Sequence, residues 1–451
     1  MSTLLFLDDW MLSRRTNLVR RLGKPRWVPE GTLDENMSSD GAWNRPTVFR
    51  VPETGKWRAI YSGVTYENDE RIPLGMMVAD SDDGIHWVKP DVSQLVPLPG
   101  RRLPNQVHHA ISGGPAYYDE HDPDPMRRLK FLYTVSKEKK QYYLSSPDGI
   151  IWKHEGIWGE RVLDAPISIF YNSIRESYVI SNRPLGGDRR VAFIETKDFE
   201  TFSKLQLILT PDPEDSPLME FYGMTVFPYE DMYIGLLLLM HTEPSQLNKA
   251  WGYFEGGLTY SFDGWTFNRA YHKAFMERND RSEQGGGTVA PSCILVDDSN
   301  QIRIYSGASR ATHFQKIGPV DAALIMHVLR LDGFMYLEPE ALKGSLTTKR
   351  LRIEGDRLQL NVRAPYGHVR VQILDGHGVP FEGFRFDDCV PFTGDALFHT
   401  PIWADGRSLG NLAGNVGYIE VEVVNGEIYA IRGDFTLNRL EIPREEFELI
   451  R

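Results

Sequence analysis

Ser81-Asp82-Asp83-Gly84-Ile85-His86-Trp87 reads S-x-D-G-x-x-W, and the phrase returns along the chain. Ser146-Pro147-Asp148-Gly149-Ile150-Ile151-Trp152 repeats it, and Thr196-Lys197-Asp198-Phe199-Glu200-Thr201-Phe202 is a degenerate copy. Ser261-Phe262-Asp263-Gly264-Trp265-Thr266-Phe267 is a fourth, and a fifth keeps only Asp332-Gly333-Phe334. The starts lie 65, 50, 65 and about 69 residues apart, somewhat longer than the roughly 40–50 residues of familiar propeller repeats. Asp-Gly bends the chain tightly, because Gly tolerates positive φ and the Asp side chain bonds the turn's own backbone. The aromatic residue then begins a strand and packs between neighbouring sheets. Five such hairpins in register predict an all-β chain whose main body is a five-bladed β-propeller.

Outward from the hairpins, short β-branched or aromatic runs bounded by Gly, Pro, Asn or Asp read as strands. Trp57-Arg-Ala-Ile-Tyr, Leu129-Lys-Phe-Leu-Tyr and Tyr233-Ile-Gly-Leu-Leu-Leu are typical. No amphipathic helix longer than three turns is expected. The repeat divides the chain into blades over 44–90, 111–154, 164–202, 220–269 and 286–337. The N-terminal strands, 4–7 and 11–27, are expected to complete the last blade and close the ring, which removes exposed strand edges. Residues 1–340 then form the propeller. After a polar connector the alternation changes, as in Val369-Arg-Val-Gln-Ile-Leu and Tyr418-Ile-Glu-Val-Glu-Val. Residues 350–451 read as a C-terminal antiparallel β-sandwich.

A chain of 451 residues exceeds what one core ordinarily serves. Its net charge of −12 argues against nucleic acid or an anionic membrane surface as partner, since both require a concentrated basic face. The arginines between 14 and 26 read as a solvated strand face. Two distant cysteines exclude a disulfide framework. The start lacks a basic n-region and meets acid early, so the expected location is cytoplasmic, or exported with a leader absent from this sequence. The apolar run 234–240 is far too short to span a bilayer. No cofactor or metal is expected, because no Cys/His/Asp spacing matches a defined site.

The arrangement resembles the five-bladed propeller glycoside hydrolases of the invertase/levanase type (family 32) and the arabinanase-like family 43. Ile111-Ser112-Gly113-Gly114-Pro115-Ala116-Tyr117-Tyr118-Asp119 is similar to their F-S-G-S-A-V-V-D at the start of blade 2. Leu163-Asp164 stands where R-D-P opens blade 3, and Met219-Glu220 where E-C opens blade 4. The phrases Phe6-Leu-Asp-Asp-Trp and Tyr118-Asp-Glu-His-Asp-Pro-Asp-Pro look like those of a bacterial branch related to that group. The resemblance implies cleavage of a glycosidic bond in an oligosaccharide or glycoside. It also exposes departures. Asn44-Arg45-Pro46 puts Arg45 where the invertases carry their nucleophilic Asp, and Leu163 replaces an Arg. A guanidinium cannot attack an anomeric carbon, although it can hold a carboxylate or phosphate bidentately.

Glycosidic hydrolysis ordinarily uses two carboxyl groups flanking the bond. Residues just before each inner strand converge on the funnel of a propeller, which singles out two acids, Glu220 and Asp164, while Asp40 would join them if its loop folds inward. Glu220, beside Met219, Phe221 and Tyr222, is the expected general acid, its apolar neighbours favouring the protonated form; otherwise it is a loop Glu paired with an Arg. Asp164 stands where the resemblance implies a residue that holds the sugar and stabilises the transition state, or else it is a turn cap. Asp40 is the candidate substitute base or nucleophile, or else ordinary turn chemistry in Ser38-Ser39-Asp40-Gly41. Substrate contacts are expected from Arg45, Trp43, His109, Asp188, Arg189, Tyr222 and Glu283. Trp43 and Tyr222 would stack on a sugar ring, Asp188 and Arg189 would sit on a Gly-Gly-Asp-Arg rim, and Glu283 precedes Gly285-Gly-Gly, where backbone can approach a ligand. His241 reads as packing. Two other readings stay open: a non-catalytic carbohydrate-binding propeller, favoured by Arg45, and a phosphorylase in which Arg45, Arg189 and His109 hold phosphate.

Overall fold

The structure is a computed structural model describing residues 2–33, 45–68, 70–110, 114–135, 138, 140–159, 168–184, 188–243, 251–313 and 322–437. Two compact units emerge: residues 24–329, and residues 1–23 together with 330–451. Among the described residues there is no α-helix, and so no helix long and apolar enough to cross a membrane.

The first unit is the five-bladed propeller, each blade an antiparallel sheet of four strands running from the axis outward. Blade 1 is Thr47–Arg50, Trp57–Glu67, Glu70–Ser81 and Gln106–His108. Blade 2 is Tyr117–Tyr118, Leu129–Val135, Lys140–Ser146 and Lys153–Gly159, and blade 3 is Ser168–Asn172, Ser177–Asn182, Val191–Thr196 and Gln206–Leu209. Blade 4 is Met219–Tyr229, Met232–Thr242, Gly252–Ser261 and Asn268–Arg269. Blade 5 takes Thr288–Val296, Gln301–Ser309 and Ala322–Arg330 from late in the chain and its outer strand, Arg26–Leu33, from the beginning.

That last pairing corrects the expected closure. Only Arg26–Leu33 closes the ring, with Leu33 opposite Leu324 and Trp27 opposite His327. Ser2–Leu5, Leu12–Thr16 and Leu18–Leu22 pair instead within the second unit, against Glu427–Leu437, Lys343–Thr348 and Met335–Pro339. Leu4, Leu12 and Leu18 are buried in that unit's core with Leu360, Val371 and Ile431, whereas Leu33 is buried with Met326 in the propeller. The propeller therefore begins at residue 24 and ends at 329, not over 1–340. Blade 1 also runs past residue 90, because its outer strand is reached only at Gln106–His108.

The hairpin phrase is a side-chain-braced turn. Gly84 and Gly149 N–H groups donate to Ser81 and Ser146 Oγ at 2.9 and 2.8 Å. The Asp of the first four copies accepts from the backbone N–H groups two and three residues on, as Asp83 does from Ile85 and His86 at 2.8 Å each. Gly84, Gly149 and Gly264 sit at φ +74°, +81° and +66°. The degenerate copy keeps the same bonds with Phe199 at φ +59°, its ring stacked on Tyr143 at 4.5 Å. Trp87 and Trp152 are partly buried against the blade clusters rather than fully core. The fifth copy lies outside the propeller: Asp332, at φ +61°, accepts from Arg432 and from Asn361 Nδ2 in the second unit.

The second unit is the β-sandwich. Its long strand Leu351–Asp375 pairs through its first half with Glu427–Leu437, while His368–Asp375 lies opposite Val424–Gly417. One strand thus contributes to both layers around Leu360, Val371, Val421 and Phe435. The arginines of the N-terminal stretch are paired with acids at its surface, as Arg15 and Arg20 are with Asp9.

Replacing Phe199 by Gly relieves about 1 kcal/mol of left-handed strain but removes a buried ring worth about 3–5 kcal/mol. Denaturant unfolding should therefore show Phe199→Gly less stable, by about 2–4 kcal/mol; a gain would mean that backbone strain dominates this turn. A second expectation concerns acid. Burial alone pushes His327 down to about 4, while an unfolded His titrates near 6.5. Below pH 6.5 the unfolded chain takes the proton first, so stability falls from there toward pH 4, by about 3 kcal/mol in total. His327→Leu should remove that part of the pH slope in thermal unfolding.

Candidate active site

Glu220 is the second residue of blade 4's inner strand and is 5% exposed. The inner edge of that strand is occupied: the Phe221 N–H donates to the Arg189 carbonyl at 3.0 Å. The segment entering Val191–Thr196 of blade 3 therefore lies alongside, and Arg189 Nη1 donates to Glu220 Oε2. A bulge follows, with Phe221 opposite Leu239 and Gly223 opposite Leu238, so Tyr222 is the extra residue. The Tyr222 ring carries the Arg183 guanidinium at 4.2 Å and that of Arg189 at 5.3 Å. It meets Phe254 edge-on at 4.7 Å and His313 at 5.4 Å. The arrangement is a buried carboxylate, two guanidiniums and an aromatic platform at one blade entrance.

Three residues expected from the sequence are thus linked through Arg189, which bonds Glu220 and lies over the Tyr222 ring. The apolar pocket expected around Glu220 is corrected, because Arg189 holds the carboxylate in an ion pair. His109 is exposed, and its ring nitrogens face the Pro99 carbonyl at 2.8 Å and Gln106 Nε2 at 3.3 Å, within blade 1's own loop. Its neighbour His108 accepts from the Ala110 N–H at 2.9 Å, and burial, with His109 and His154 nearby, keeps its ring below the ordinary His range. Arg45 is 9% exposed at the entrance to Thr47–Arg50. Asp188 and Glu283 are exposed. The glycines after Glu283 serve packing rather than a ligand: a Cβ on Gly287 would lie 2.2 Å from the Ala311 backbone. Asp40, Trp43 and Asp164 lie outside the described residues, as do Asn44 and Leu163.

The sequence reading missed Arg183, Phe254 and His313. Arg183 follows directly on the apolar strand Ser177–Asn182 and is 3% exposed. An arginine ending a buried strand was the available signal. A further charged group sits on blade 4's outer strands, where His241 stacks on Tyr253 at 4.4 Å and Arg278 covers the same ring at 3.7 Å. Burial pushes Glu255 up, but its bond to His241 and the charges of His241 and Arg278 hold it below the usual carboxylate range. His241 is a packing residue of this stack.

Asp212, Asp215 and His272 lie close enough together to share a cation. Arg269 Nη1 already stands 2.5 Å from Asp215 there, and its positive charge opposes a metal at that place. A cavity of about 580 Å³ opens elsewhere in the ring, lined by Thr47, Tyr118, His121, Thr225 and Ser292. Thr225 is five residues along the inner strand from Glu220, about 16 Å at strand rise, so this cavity is distinct from the Glu220 mouth.

No known protein family matches the sequence, and no curated protein is similar to it. Among solved structures, an N-acetylgalactosamine deacetylase from F. plautii in complex with blood group B trisaccharide is 13% identical, with TM-score 0.44, covering 69% of this chain and 95% of its own. A structure from the GH130 family of mannoside phosphorylases, containing glycoside hydrolases that target β-1,2 mannosidic linkages in Candida mannan, is 12% identical (TM-score 0.43; 68% and 94% covered). β-1,2-Mannobiose phosphorylase from Listeria innocua is also 12% identical (TM-score 0.43; 69% and 96% covered).

The ion pair has a thermodynamic signature. Removing one partner of a buried pair strands the other charge, at a cost of about 3 kcal/mol. Arg189→Met should lower stability by about that amount, and adding Glu220→Met to it should recover part of the loss. The double-mutant cycle should give a coupling of at least about 1 kcal/mol; additive effects would show that the two side chains do not act as a pair.

Proposed function

We propose that this chain is a carbohydrate-active enzyme that breaks a glycosidic bond at the mouth formed by Glu220, Arg189 and Tyr222. The observation that carries the reading is the buried Glu220 at the entrance of an inner strand, paired with the Arg189 guanidinium, which also covers the Tyr222 ring. Glycosidic cleavage needs a carboxyl group held out of bulk water beside the leaving oxygen. An aromatic face presented beside it gives a sugar ring its apolar contact. In this scheme Glu220 is the acid, Asp164 holds the sugar and Asp40 supplies the base or nucleophile. Arg45, Trp43, His109, Asp188, Arg189 and Glu283 stay as proposed substrate contacts, with His109 the weakest by geometry.

Phosphorolysis is the second reading, and one observation favours it. Arg183 and Arg189 both bring guanidiniums to Tyr222 beside Glu220, an arrangement suited to a phosphate nucleophile. The two readings separate on the co-substrate: phosphorolysis requires inorganic phosphate and yields a sugar 1-phosphate, whereas hydrolysis proceeds without it.

Glu220→Gln keeps the shape of the side chain and removes its acid function. Reducing-sugar release from a panel of oligosaccharides, with and without phosphate, should fall by about 10²–10⁴-fold while saccharide binding persists. Near-normal turnover in that variant removes Glu220 from the mechanism.

A further inference from the structure

The inner strand of blade 4 starts at the Glu220 mouth and runs on along the axis to the cavity of about 580 Å³. That size lies within the range of small-molecule sites, about 300–1,000 Å³. The hydroxyls at its inner end are mostly committed: Thr47, Ser168 and Ser292 each donate to a carbonyl of a neighbouring blade. Thr225 differs. It is 5% exposed, lines the cavity and makes no side-chain hydrogen bond among the described residues. The walls are apolar and aromatic. Tyr118 stacks on Phe49 with centroids 5.3 Å apart, and Phe227 and Ile294, both half-buried, line the cavity as well.

The rim is open to solvent and acidic. Arg50, Pro52, Glu120, His121, Pro228 and Val296 line it and are exposed. The five loops that follow the inner strands, 51–56, 119–128, 173–176, 230–231 and 297–300, hold ten acids and four bases. Bases reaching in from the strands are already paired: Arg50 with Asp298 at 2.6 Å, Arg303 with Asp297 at 2.8 Å and Lys130 with Asp119 at 2.7 Å. Arg128, on a loop, is paired with Glu53 at 3.3 Å. Glu120 makes no ion pair among the described residues. Its field reaches the wall: burial lifts the Tyr118 phenol above the ordinary Tyr range, Arg128 opposes the rise, and Glu120 and Glu53 add to it.

We infer that this cavity is a second ligand site and takes a small organic cation, its ammonium group at the rim by Glu120 and Tyr118 and its carbon skeleton against the inner walls. An ammonium gains from an aromatic face as well as from a carboxylate, and the rim presents both. An anion would meet an acidic rim. A neutral sugar calls for several hydrogen-bond partners, and of the four hydroxyls at the inner end only that of Thr225 is uncommitted. A divalent metal ion requires six or so oxygen ligands at about 2.0–2.6 Å, whereas these walls offer rings and aliphatic carbon. The site is independent of the glycosidic reading of the mouth.

Calorimetric titration of the full chain tests this with two matched pairs, choline against its uncharged isostere neohexanol and cyclohexylamine against cyclohexanol, beside magnesium and calcium chloride. At least one of the two cations should bind, and its uncharged isostere about tenfold more weakly or not at all. Tyr118→Leu keeps an apolar wall but removes the ring, and should lower the affinity about fivefold to thirtyfold. Glu120→Gln should lower it about fivefold. Val296→Lys, which adds a positive charge at a rim position 45% exposed, should abolish binding, and Glu220→Gln should leave it unchanged. If Tyr118→Leu fails to fold, the two variants at exposed rim positions decide by the same readout. A wild type that binds neither cation, or that binds the uncharged isosteres equally well, overturns the site. Binding lost in Glu220→Gln but kept in Glu120→Gln and Val296→Lys belongs to the mouth and also overturns it. Magnesium or calcium displacing the amine would overturn it too, by making the rim a metal site.

Discussion

The ring depends on how inner strands, which cannot pair like ladder neighbours, are tied across each seam. Short hydroxyl side chains do much of this. Ser292 Oγ of blade 5 donates to the Pro46 carbonyl of blade 1 at 2.6 Å, Thr47 Oγ1 of blade 1 to Ala116 of blade 2 at 2.8 Å, and Ser168 Oγ of blade 3 to Met224 of blade 4 at 2.8 Å. Between blades 2 and 3 the backbone N–H of Tyr171 donates to Tyr117 Oη at 3.2 Å, and Tyr178 Oη to Asp119 at 2.6 Å. Blades 4 and 5 join by a backbone bridge between Phe254 and Thr288. Each bond is worth only about 1 kcal/mol, yet the three hydroxyl donors each satisfy a backbone carbonyl of the neighbouring blade. Cys293 joins in, donating to Val48 at 3.1 Å, and its burial pushes the thiol up to about 12, which makes it a packing group rather than a nucleophile.

A second set of ties runs through the hairpin turns, and it explains why the phrase was legible in the sequence. Each turn docks on the preceding blade: the Gly84 carbonyl accepts from Tyr305 Oη at 3.0 Å, Asp148 from Arg58 at 2.9 Å, and Asp263 from Asn172 at 2.8 Å. The Ser, Asp and Gly are therefore required by local geometry, which depends on near neighbours and leaves a readable pattern. Phe199 shows the pattern can bend where stacking on Tyr143 compensates for strain. Asp332-Gly333 shows its weakness. A turn at positive φ looks the same in sequence whether it faces a blade or, as here, a buried Arg432. Ring closure was misread for a related reason: the strands at 2–22 and 26–33 have similar local character, and only the long-range choice of partner separates them.

The candidate site residues were named from the blade period, which located the strand entrances. Glu220 and Tyr222 followed from that rule, and Arg189 from its glycine-rich turn. The partnership of Arg189 with Glu220 did not, because it depends on a segment of blade 3 lying along the inner edge of blade 4. The phrase Asp119-Glu-His-Asp, which looked like a signature, is accounted for by structure: Asp119 and Asp122 enclose the buried Lys130.

The ion pair at the mouth constrains any mechanism built there. A general acid needs access to the leaving oxygen, while Glu220 is engaged by the Arg189 guanidinium. On the hydrolytic reading, then, Arg189 has to release Glu220 as the sugar enters. Hydrogen bonds of a catalytic group commonly rearrange in this way between the free and the bound enzyme. A group on the substrate that engages Arg189 would do this directly. So would phosphate, with Arg183 beside it at the same Tyr222 ring. Binding and activation of the acid would then be a single event, and Glu220 would be released only when the mouth is filled. Without such a group Glu220 stays paired with Arg189, a contact that, with the Phe221 N–H bond to the Arg189 carbonyl, ties blade 3 to blade 4.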